Sequence, residues 1–345
     1  MDRVDAAAAR RVLMKLSVVV PSWNGGELLN RNLKEVVAQA RALPGGAEVL
    51  IVDDGSNPSD GTPAAVDQAG DPARLVRRPE HKGFAAACNA GAGAAGGEYL
   101  AFLNNDVRPE AGCLATLVET IEGRGEVFAV VPYSLNAEAG TVESAVQLRI
   151  KHGVFDIVYA GRAGVAPAPG KWREVAYPCG GAFLCRRSVF FELGGFAALY
   201  APFYWEDADL GWRARRAGLA VIEVSGARVR HEHSRTIGVR FPHSTIRTAF
   251  ERNRLLFTWT HLGGARPWLV HLAWLPLRFL AAVLRADAPW ALPKALVMVA
   301  RVVAARRHLR ESRRQACWLV GQVVGSGRDG FPRGGNSAAL ARVSE

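Results

Sequence analysis

Residues 98–107 read EYLAFLNNDV. From Tyr99 to Leu103 the run is apolar without alternation, the pattern of a strand covered on both faces in a parallel sheet. It then stops on Asn104, Asn105 and Asp106, three polar side chains that at a strand's carboxyl end face water, a turn or a ligand. Two earlier stretches end in the same way. KLSVVVPSW (15–23) is a strand closing on a Pro-Ser turn, and AEVLIVDDGS (47–56) is a strand closing on two acids and a glycine. Between them GELLNRNLKEVVAQARAL (26–43) has helical apolar spacing, which makes the order strand, helix, strand. Such units build doubly wound sheets, whose ligands gather at the carboxyl ends of the strands. Pro21–Asn24, Asp53–Ser56 and Asn104–Asp106 are therefore expected at one crevice.

The remainder divides by composition. A polar, Pro/Gly-rich stretch (NPSDGTPAAVDQAGDPA) leads to a short strand-like ARLVRRP and the helix-like FAAACNAGAGAAGG. Gly91, Gly93 and Gly96 have the spacing of a dinucleotide fingerprint, but they follow a helix and precede a strand, the reverse of what that motif needs. Residues 108–178 offer only an amphipathic helix (EAGCLATLVETIEG) and a strand-like VFAVVPY. Signal returns in YPCGGAFLCRRSVFFELGGF, YAPFYWEDADLGWRARRAGL and AVIEVSGARVRHEHS.

The net charge of +11 resides wholly in the tail: residues 241–345 hold 16 Lys and Arg against 5 Asp and Glu, whereas residues 1–240 hold 27 of each. Five scattered cysteines without a CxxC pair predict reduced thiols and a cytoplasmic protein, and the N-terminus lacks a signal-peptide pattern. The tail contains WLVHLAWLPLRFLAAVL (268–284), interrupted by His271, Pro276 and Arg278, and six arginines between 301 and 314. Interfacial helices tolerate such interruptions better than spanning ones, and an arginine cluster suits an anionic leaflet. The expectation is a peripheral contact with the inner face of the cell membrane, not nucleic acid, with a homo-oligomeric helix pair as the rival.

Each polar cluster has a plain and a chemical reading. Asp53 and Asp54 before Gly55-Ser56 suit an Asx turn, or carboxylates that accept from a base or ribose. Asp106 suits a turn, or a hard cation that shares its shell with a diphosphate. The acids of WEDAD open a helix and complement its dipole, Asp209 pairing with Arg213; a carboxylate behind PFYW also suits a general base. Of His231 and His233, one imidazole near Asp106 would complete a metal site.

Taken in order, SVVVPSWNGGELL, EVLIVDDGS, HKGFAAACNAGA, YLAFLNNDVRPEAG, GGAFLCRRSVFFELGGF, YWEDADLGWRARRAGL and VRHEHS resemble the family 2 inverting glycosyltransferases, over roughly residues 15–260. The branch they look most like is the rhamnosyltransferase-like one that builds cell-wall and surface polysaccharides. The resemblance implies a GT-A fold: an α/β, Rossmann-like, mostly parallel central sheet flanked by helices, here with a C-terminal α-helical extension. The catalytic domain would cover 1–240, its nucleotide half 15–107 and acceptor half 108–240, and the extension 241–345. Pro21, Asn24 and Asp54 would contact the donor nucleotide, with Lys82, Asn89, Asn104 and Asn105 beside it. Asp106 and His231 would hold Mg or Mn, the family's Asp-x-Asp having become Asn104-Asn105-Asp106. Asp207 would be the base, with Gly180, Gly181, Trp205 and Glu206 on the acceptor side.

The implied reaction moves a sugar from a dTDP-rhamnose or UDP-sugar class donor to a lipid-linked or polysaccharide acceptor by metal-assisted single displacement. The rival readings are a nucleotidyltransferase, for which PSWNGGELL lacks the basic residues that grip a triphosphate, and an inactive membrane-bound scaffold that keeps the nucleotide pocket.

Overall fold

The computed structural model of the chain describes residues 14–136, 142–159, 171–179, 181–231, 237–284 and 288–309. Its first half alternates as the apolar runs require: β1 (Leu16–Ser22), α1 (Gly26–Ala42), β2 (Ala47–Asp54), α2 (Thr62–Ala69), β3 (Ala73–Arg78), α3 (Phe84–Ala94) and β4 (Tyr99–Leu103). Then follow β5 (Val107–Pro109), α4 (Cys113–Glu122), β6 (Val127–Asn136), β7 (Val146–Lys151), β8 (Val154–Tyr159), β9 (Trp172–Glu174), β10 (Ala182–Arg186), α5 (Arg187–Glu192), α6 (Glu206–Arg216) and β11 (Ala220–His231). The described residues that follow are mostly helical: α7 (Ile237–Arg240), α8 (His243–His261), α9 (Ala265–Leu284), α10 (Ala291–Leu296) and a further helical run over 299–309. The Pro/Gly-rich stretch read as polar linker contains α2, started by Pro63 in its first turn. The weakly patterned region contains the β7–β8 hairpin.

The main sheet runs β3-β2-β1-β4-β10-β6-β11-β5, with β9 also on β11. Strands β3, β2, β1 and β4 are mutually parallel, and β10 enters antiparallel to both β4 and β6. Both faces of the parallel part are covered, which is why its strands read as unbroken apolar runs. Side chains alternate between two cores. Val19, Leu50, Val52, Leu100 and Phe102 pack with α3, whereas Val18, Val20, Val49, Ile51 and Leu103 pack with α1 and α4.

The glycines of α3 have a packing explanation rather than a nucleotide-binding one. A Cβ on Gly91 would lie 2.4 Å from Val19 Cγ1 and 2.8 Å from Val52 Cγ2, so this helix approaches the sheet more closely than any larger residue permits.

Register positions the strand ends. Leu16–Ser22 pairs with Ala47–Asp53, and Val19 lies beside Phe102, so the polar ends of β1, β2 and β4 emerge together. Val107 pairs with His231 across β5 and β11, which sets Asp106 next to that histidine. The expected boundary at residue 240 falls just before α8, yet Leu256 and Phe257 of α8 belong to the same core as β4 and α6. Asn253 of α8 donates to the carbonyls of Tyr200, Phe203 and Tyr204 and so fixes the loop ahead of α6.

One helix among the described residues, α9, is long and apolar enough to cross a membrane, with mean hydropathy 1.5 over its best window. It is docked on the globular body at a few points. Trp259 donates to a buried His271, His152 stacks on Trp274 at 4.1 Å, and Arg278 donates to the carbonyl of Lys151.

Candidate active site

A cleft of about 440 Å³ opens at the carboxyl ends of β1, β2 and β4. That volume falls within the ~300–1,000 Å³ usual for small-molecule sites. Pro21, Ser22, Asp54 and Asn104–Asp106 line one side. His231, the Pro202–Tyr204 loop, and Phe241, His243 and Ile246 around the start of α8 line the other.

An aromatic wall stands at the β1 end. Trp23 stacks on His81 with ring centroids 4.0 Å apart and planes 16° from parallel; Phe241 lies 5.8 Å from Trp23, and the Arg240 guanidinium sits over the indole at 5.4 Å. Such faces bind flat heterocycles by stacking, largely irrespective of which base is presented.

The acids of β2 organise this wall. Asp53 is fully buried, accepts from the amide of Ser56 and pairs with Arg77, which is the Asx turn that Asp-Gly-Ser favours. Asp54 pairs with Arg78 and accepts from the amides of Gly83 (2.7 Å) and Lys82 (3.0 Å), with His81 Nδ1 at 2.9 Å. Its carboxylate thereby shapes the 81–83 loop and holds His81 against Trp23. Gly83 takes φ +89, and a Cβ there would meet the Pro202 carbonyl at 2.4 Å, so only glycine closes this loop on the cleft.

At the end of β4 the three polar residues separate in role. Asn105 reaches under the floor, its side chain donating to Ser22 Oγ while its carbonyl accepts from Asn32. Asn104 donates its amide to the Gly181 carbonyl, but its side-chain oxygen is buried with no hydrogen-bond partner among the described residues. Asp106 Oδ1 is 3.3 Å from His231 Nε2, an ion-pair contact, and this buried oxygen has no well-aligned hydrogen-bond donor among the described residues. His231 Nδ1 lies 3.1 Å from Glu143 Oε2. Burial alone would lower the His231 pKa, but the flanking carboxylates of Asp106 and Glu143 outweigh it and raise the value to about 9. Two orphan oxygens and an imidazole held between carboxylates thus converge on one corner of the cleft, a corner built for positive charge.

The acid-rich helix lies behind the Pro202–Tyr204 wall. The chain enters it through Tyr204 and Trp205, both at positive φ (74° and 77°), a strained entry held by packing of the buried indole on Phe250 and Phe257. Glu206 is buried, and its pKa stands well above the usual carboxyl range, first from burial and then from the Asp207 charge beside it. Asp207 is half-buried and accepts from the amide of Ala208; its charge reaches Tyr177 and Cys179, on the β10 side.

Asp209 is structural. It pairs with Arg213 at 2.7 Å and accepts from Tyr200 (3.1 Å) and His261 (2.7 Å); burial works to raise its pKa, but Arg213 and His261 outweigh that and hold it at about 2. His261 itself is pushed down by burial despite Asp209. The two shifts are reconciled if His261 is neutral with its Nε2–H donating, so the ion pair proper is Asp209 with Arg213.

Of the residues singled out in the sequence, Pro21, Asp54, Asn104, Asn105, Asp106 and His231 meet in the cleft. Asn24 does not line it: its side chain accepts from the Asn57 amide and staples the β1 and β2 loops together. Lys82 is exposed and pairs with Glu80, and Asn89 bonds the backbone of Phe196 in both directions. Gly181, Trp205, Glu206 and Asp207 are not among the residues that line it. Gly180 lies outside the described residues. Sequence reasoning missed Trp23, His81, Phe241 and Glu143. Trp23 and His81 each directly adjoin a motif that was read, and a wall shared by adjacent strand ends was the signal available.

The family described as glycosyl transferase family 2 matches residues 17–194. The chain is similar to the pre-mycofactocin glycosyltransferase of Mycobacterium tuberculosis, 29% identical over 221 residues, which are 63% of this chain and 43% of that protein. It therefore spans less than half of that relative's length. It is also similar to the N-acetylglucosaminyl-diphospho-decaprenol L-rhamnosyltransferase of the same organism, 27% identical over 332 residues, covering 88% of this chain and 97% of the other. Among solved structures, that of GalNAc-T7 with UDP, GalNAc and Mn2+ matches with a TM-score of 0.56 at 18% identity, over 72% of this chain and 48% of that one. The shared architecture is the GT-A fold.

Proposed function

The chain belongs to glycosyl transferase family 2, and from that premise we propose that it transfers a sugar from a nucleotide-diphosphate donor to a lipid-linked or glycan acceptor by single displacement, with inversion. The observation that carries this reading is the cleft itself. The aromatic group of Trp23, His81 and Phe241 and the oxygens of Asn104 and Asp106 beside His231 line the same cleft. A nucleotide diphosphate offers a match for each, a flat base and a charged diphosphate.

Asn104 Oδ1 and Asp106 Oδ1 would hold a divalent cation, Mg or Mn, with diphosphate and water to complete its shell; His231 Nε2 carries a proton while the ring is charged and would join them only on losing it. Bound there, the cation supplies charge neutralisation for the departing diphosphate. The rest falls to the chain's own residues. The stacked Trp23–His81 pair borders the base, and Asp54 keeps the 81–83 loop in place for it. The acceptor hydroxyl approaches from the β10 side, where Asp207 takes its proton as the oxygen attacks the anomeric carbon. Glu206 is buried with its pKa raised, whereas Asp207 is half-buried, and we assign the base to Asp207.

The donor proposed is of the dTDP-rhamnose or UDP-sugar class; the rhamnosyltransferase relative, matched over 97% of its length, favours rhamnose as the sugar. Exposed Leu269, Leu272, Leu277, Leu280 and Leu284 of α9, with Trp290 and Val297 beyond it, support a membrane surface as the site of action, on the cytoplasmic side that holds nucleotide sugars.

A panel of nucleotide sugars assayed with Mn for release of nucleoside diphosphate tests the reading. Release of pyrophosphate instead, or tight nucleotide binding with no turnover of any donor, would overturn it. Asp207→Asn is expected to lower transfer by roughly 10²–10⁴-fold while leaving nucleotide binding intact. Near-normal turnover by that variant would remove Asp207 from the mechanism.

A further inference from the structure

A second cavity, of about 220 Å³, lies between α8, α9 and α10 and shares no residue with the reaction cleft. Its polar lining is Arg247, Glu251 and Arg254 from α8 and Arg278 from α9; Leu275 and Phe279 are among its apolar walls. Leu275, Arg278 and Ala282 recur at helical spacing and are half-buried, so one stripe of α9 faces inward, with the exposed Phe279 at its rim, while Leu269, Leu272, Leu277, Leu280 and Leu284 lie exposed. The cavity thus opens within an apolar surface.

The charges inside it are unequal in their satisfaction. Arg254 is fully engaged, donating to the Phe155 carbonyl at 2.7 Å and pairing with Asp156 (3.2 Å) and Glu251 (3.4 Å). Glu251 also pairs with Arg247 at 3.5 Å. Arg278 makes no ion pair among the described residues. It donates one nitrogen to the Lys151 carbonyl at 3.0 Å, and its Nε is buried without a hydrogen-bond partner. A guanidinium with an unused donor, beside two others and facing a small cavity, is a site for an oxyanion, and its fork matches phosphate geometry.

We infer that this cavity receives the phosphate group of an anionic bilayer phospholipid, whose acyl chains lie along the exposed apolar face of α9. At about 220 Å³ the cavity is smaller than the ~300 Å³ at which whole-ligand pockets begin, so it accommodates a headgroup rather than an entire ligand. The acceptor is a poorer occupant. Ile246 lines the reaction cleft and the next residue, Arg247, lines this cavity, so α8 stands between the two spaces and an acceptor seated here would be turned from the donor. The inference rests on the membrane-facing reading of the tail, and the two are tested separately.

The full chain is floated with vesicles of phosphatidylcholine alone or doped with phosphatidylglycerol. Phosphatidylcholine carries the same phosphodiester but sets a quaternary ammonium beside it, which Arg247, Arg254 and Arg278 repel, so binding to neutral vesicles tests the apolar face and the gain from phosphatidylglycerol tests the cavity. A basic residue merely near a charged surface contributes about 1 kcal/mol, roughly five-fold. Arg301→Ala, an exposed arginine of the following helical run, is the control for that effect. Arg278→Ala is expected to cost the phosphatidylglycerol-dependent gain roughly ten-fold or more, beyond the control, with neutral-vesicle binding unchanged. Arg278→Lys keeps the charge and one donor and is expected to fall between; it serves if the alanine variant unfolds. A loss no larger than that of Arg301→Ala would overturn the cavity and leave only general attraction. Inorganic phosphate raising the Tm of the wild type but not of Arg278→Lys, in the absence of vesicles, would reassign the site to free phosphate. Failure of the wild type to bind either vesicle would overturn both the cavity and the membrane reading, while donor turnover in detergent would leave the glycosyltransferase reading standing.

Discussion

Replacing Asp209 with asparagine separates the scaffold of the acid helix from its chemistry. The carboxylate is buried and its pKa falls from an ordinary 3.8 to about 2, which corresponds to roughly 2.5 kcal/mol of preference for the charged form in the folded protein. Asparagine keeps the shape and can still accept from Tyr200 or His261, but it loses the charge opposite Arg213. That arginine is not abandoned, because its other nitrogens donate to the carbonyls of Leu193 and Gly195. The expected loss is therefore about 2–3 kcal/mol, at or below the ~3–5 kcal/mol seen when a buried charge is left with nothing.

Urea unfolding of wild type and Asp209→Asn reads this directly, and pH supplies a second axis. A lowered carboxylate pKa gives stability that is fully present above the unfolded value near 3.8 and is lost as pH falls through the folded value near 2. The difference between the two proteins should hold steady at neutral pH and close as acid approaches pH ~2. A difference under about 0.5 kcal/mol at neutral pH, the range of an ordinary surface change, would refute the reasoning. So would a larger difference that ignores pH, since it would place the cost in packing rather than charge.

Three further outcomes follow from the cleft and the sheet. Asp106→Ala should raise the Mn concentration needed for half-maximal donor binding by roughly ten-fold or more, and an unchanged metal titration would remove Asp106 from the cation's shell. Trp23→Ala should weaken nucleotide binding by about 1–3 kcal/mol, equally for donors that differ only in sugar; a loss confined to one sugar would place the indole elsewhere. Gly91→Ala, whose Cβ would enter Val19, should cost about 1–3 kcal/mol in chemical unfolding. Gly93→Ala, with nothing within 4 Å of its Cβ, should gain about 0.5–1 kcal/mol, and equal effects at the two sites would refute the close approach of α3.

The elements most legible in the sequence were those whose periodicity has one physical cause. Strands β1, β2 and β4 are buried on both faces and break into polar residues where the sheet ends, so LSVVVPS, AEVLIVDD and YLAFL carry element type and cleft position together. What a single segment does not encode is which partner it meets. Trp23 stacks on a histidine 58 positions away, and Glu143, from a stretch without clear pattern, is the second carboxylate on His231. Asp54 reads equally well as a ligand for a base and as the anchor of a loop; only the amides of Lys82 and Gly83 at its oxygen reveal the second role. The boundary near residue 240 came from a tally of charge, which is blind to the fact that Leu256, Phe257 and Asn253 of the following helix are fully buried.

Helix α8 spans 19 residues, about 28 Å of rigid rod. Its first turn faces the donor cleft through His243 and Ile246, its middle carries Asn253 under the strained entry to the acid helix, and its last residue reaches Asp209. The helices beyond it are tied to the same rod, with Ala295 and Val302 in its core and Arg306 donating to the carbonyls of Trp259 and Leu262 at its end. A cut at the change in charge near residue 240 would therefore remove Phe241, His243 and Ile246 from the wall of the cleft.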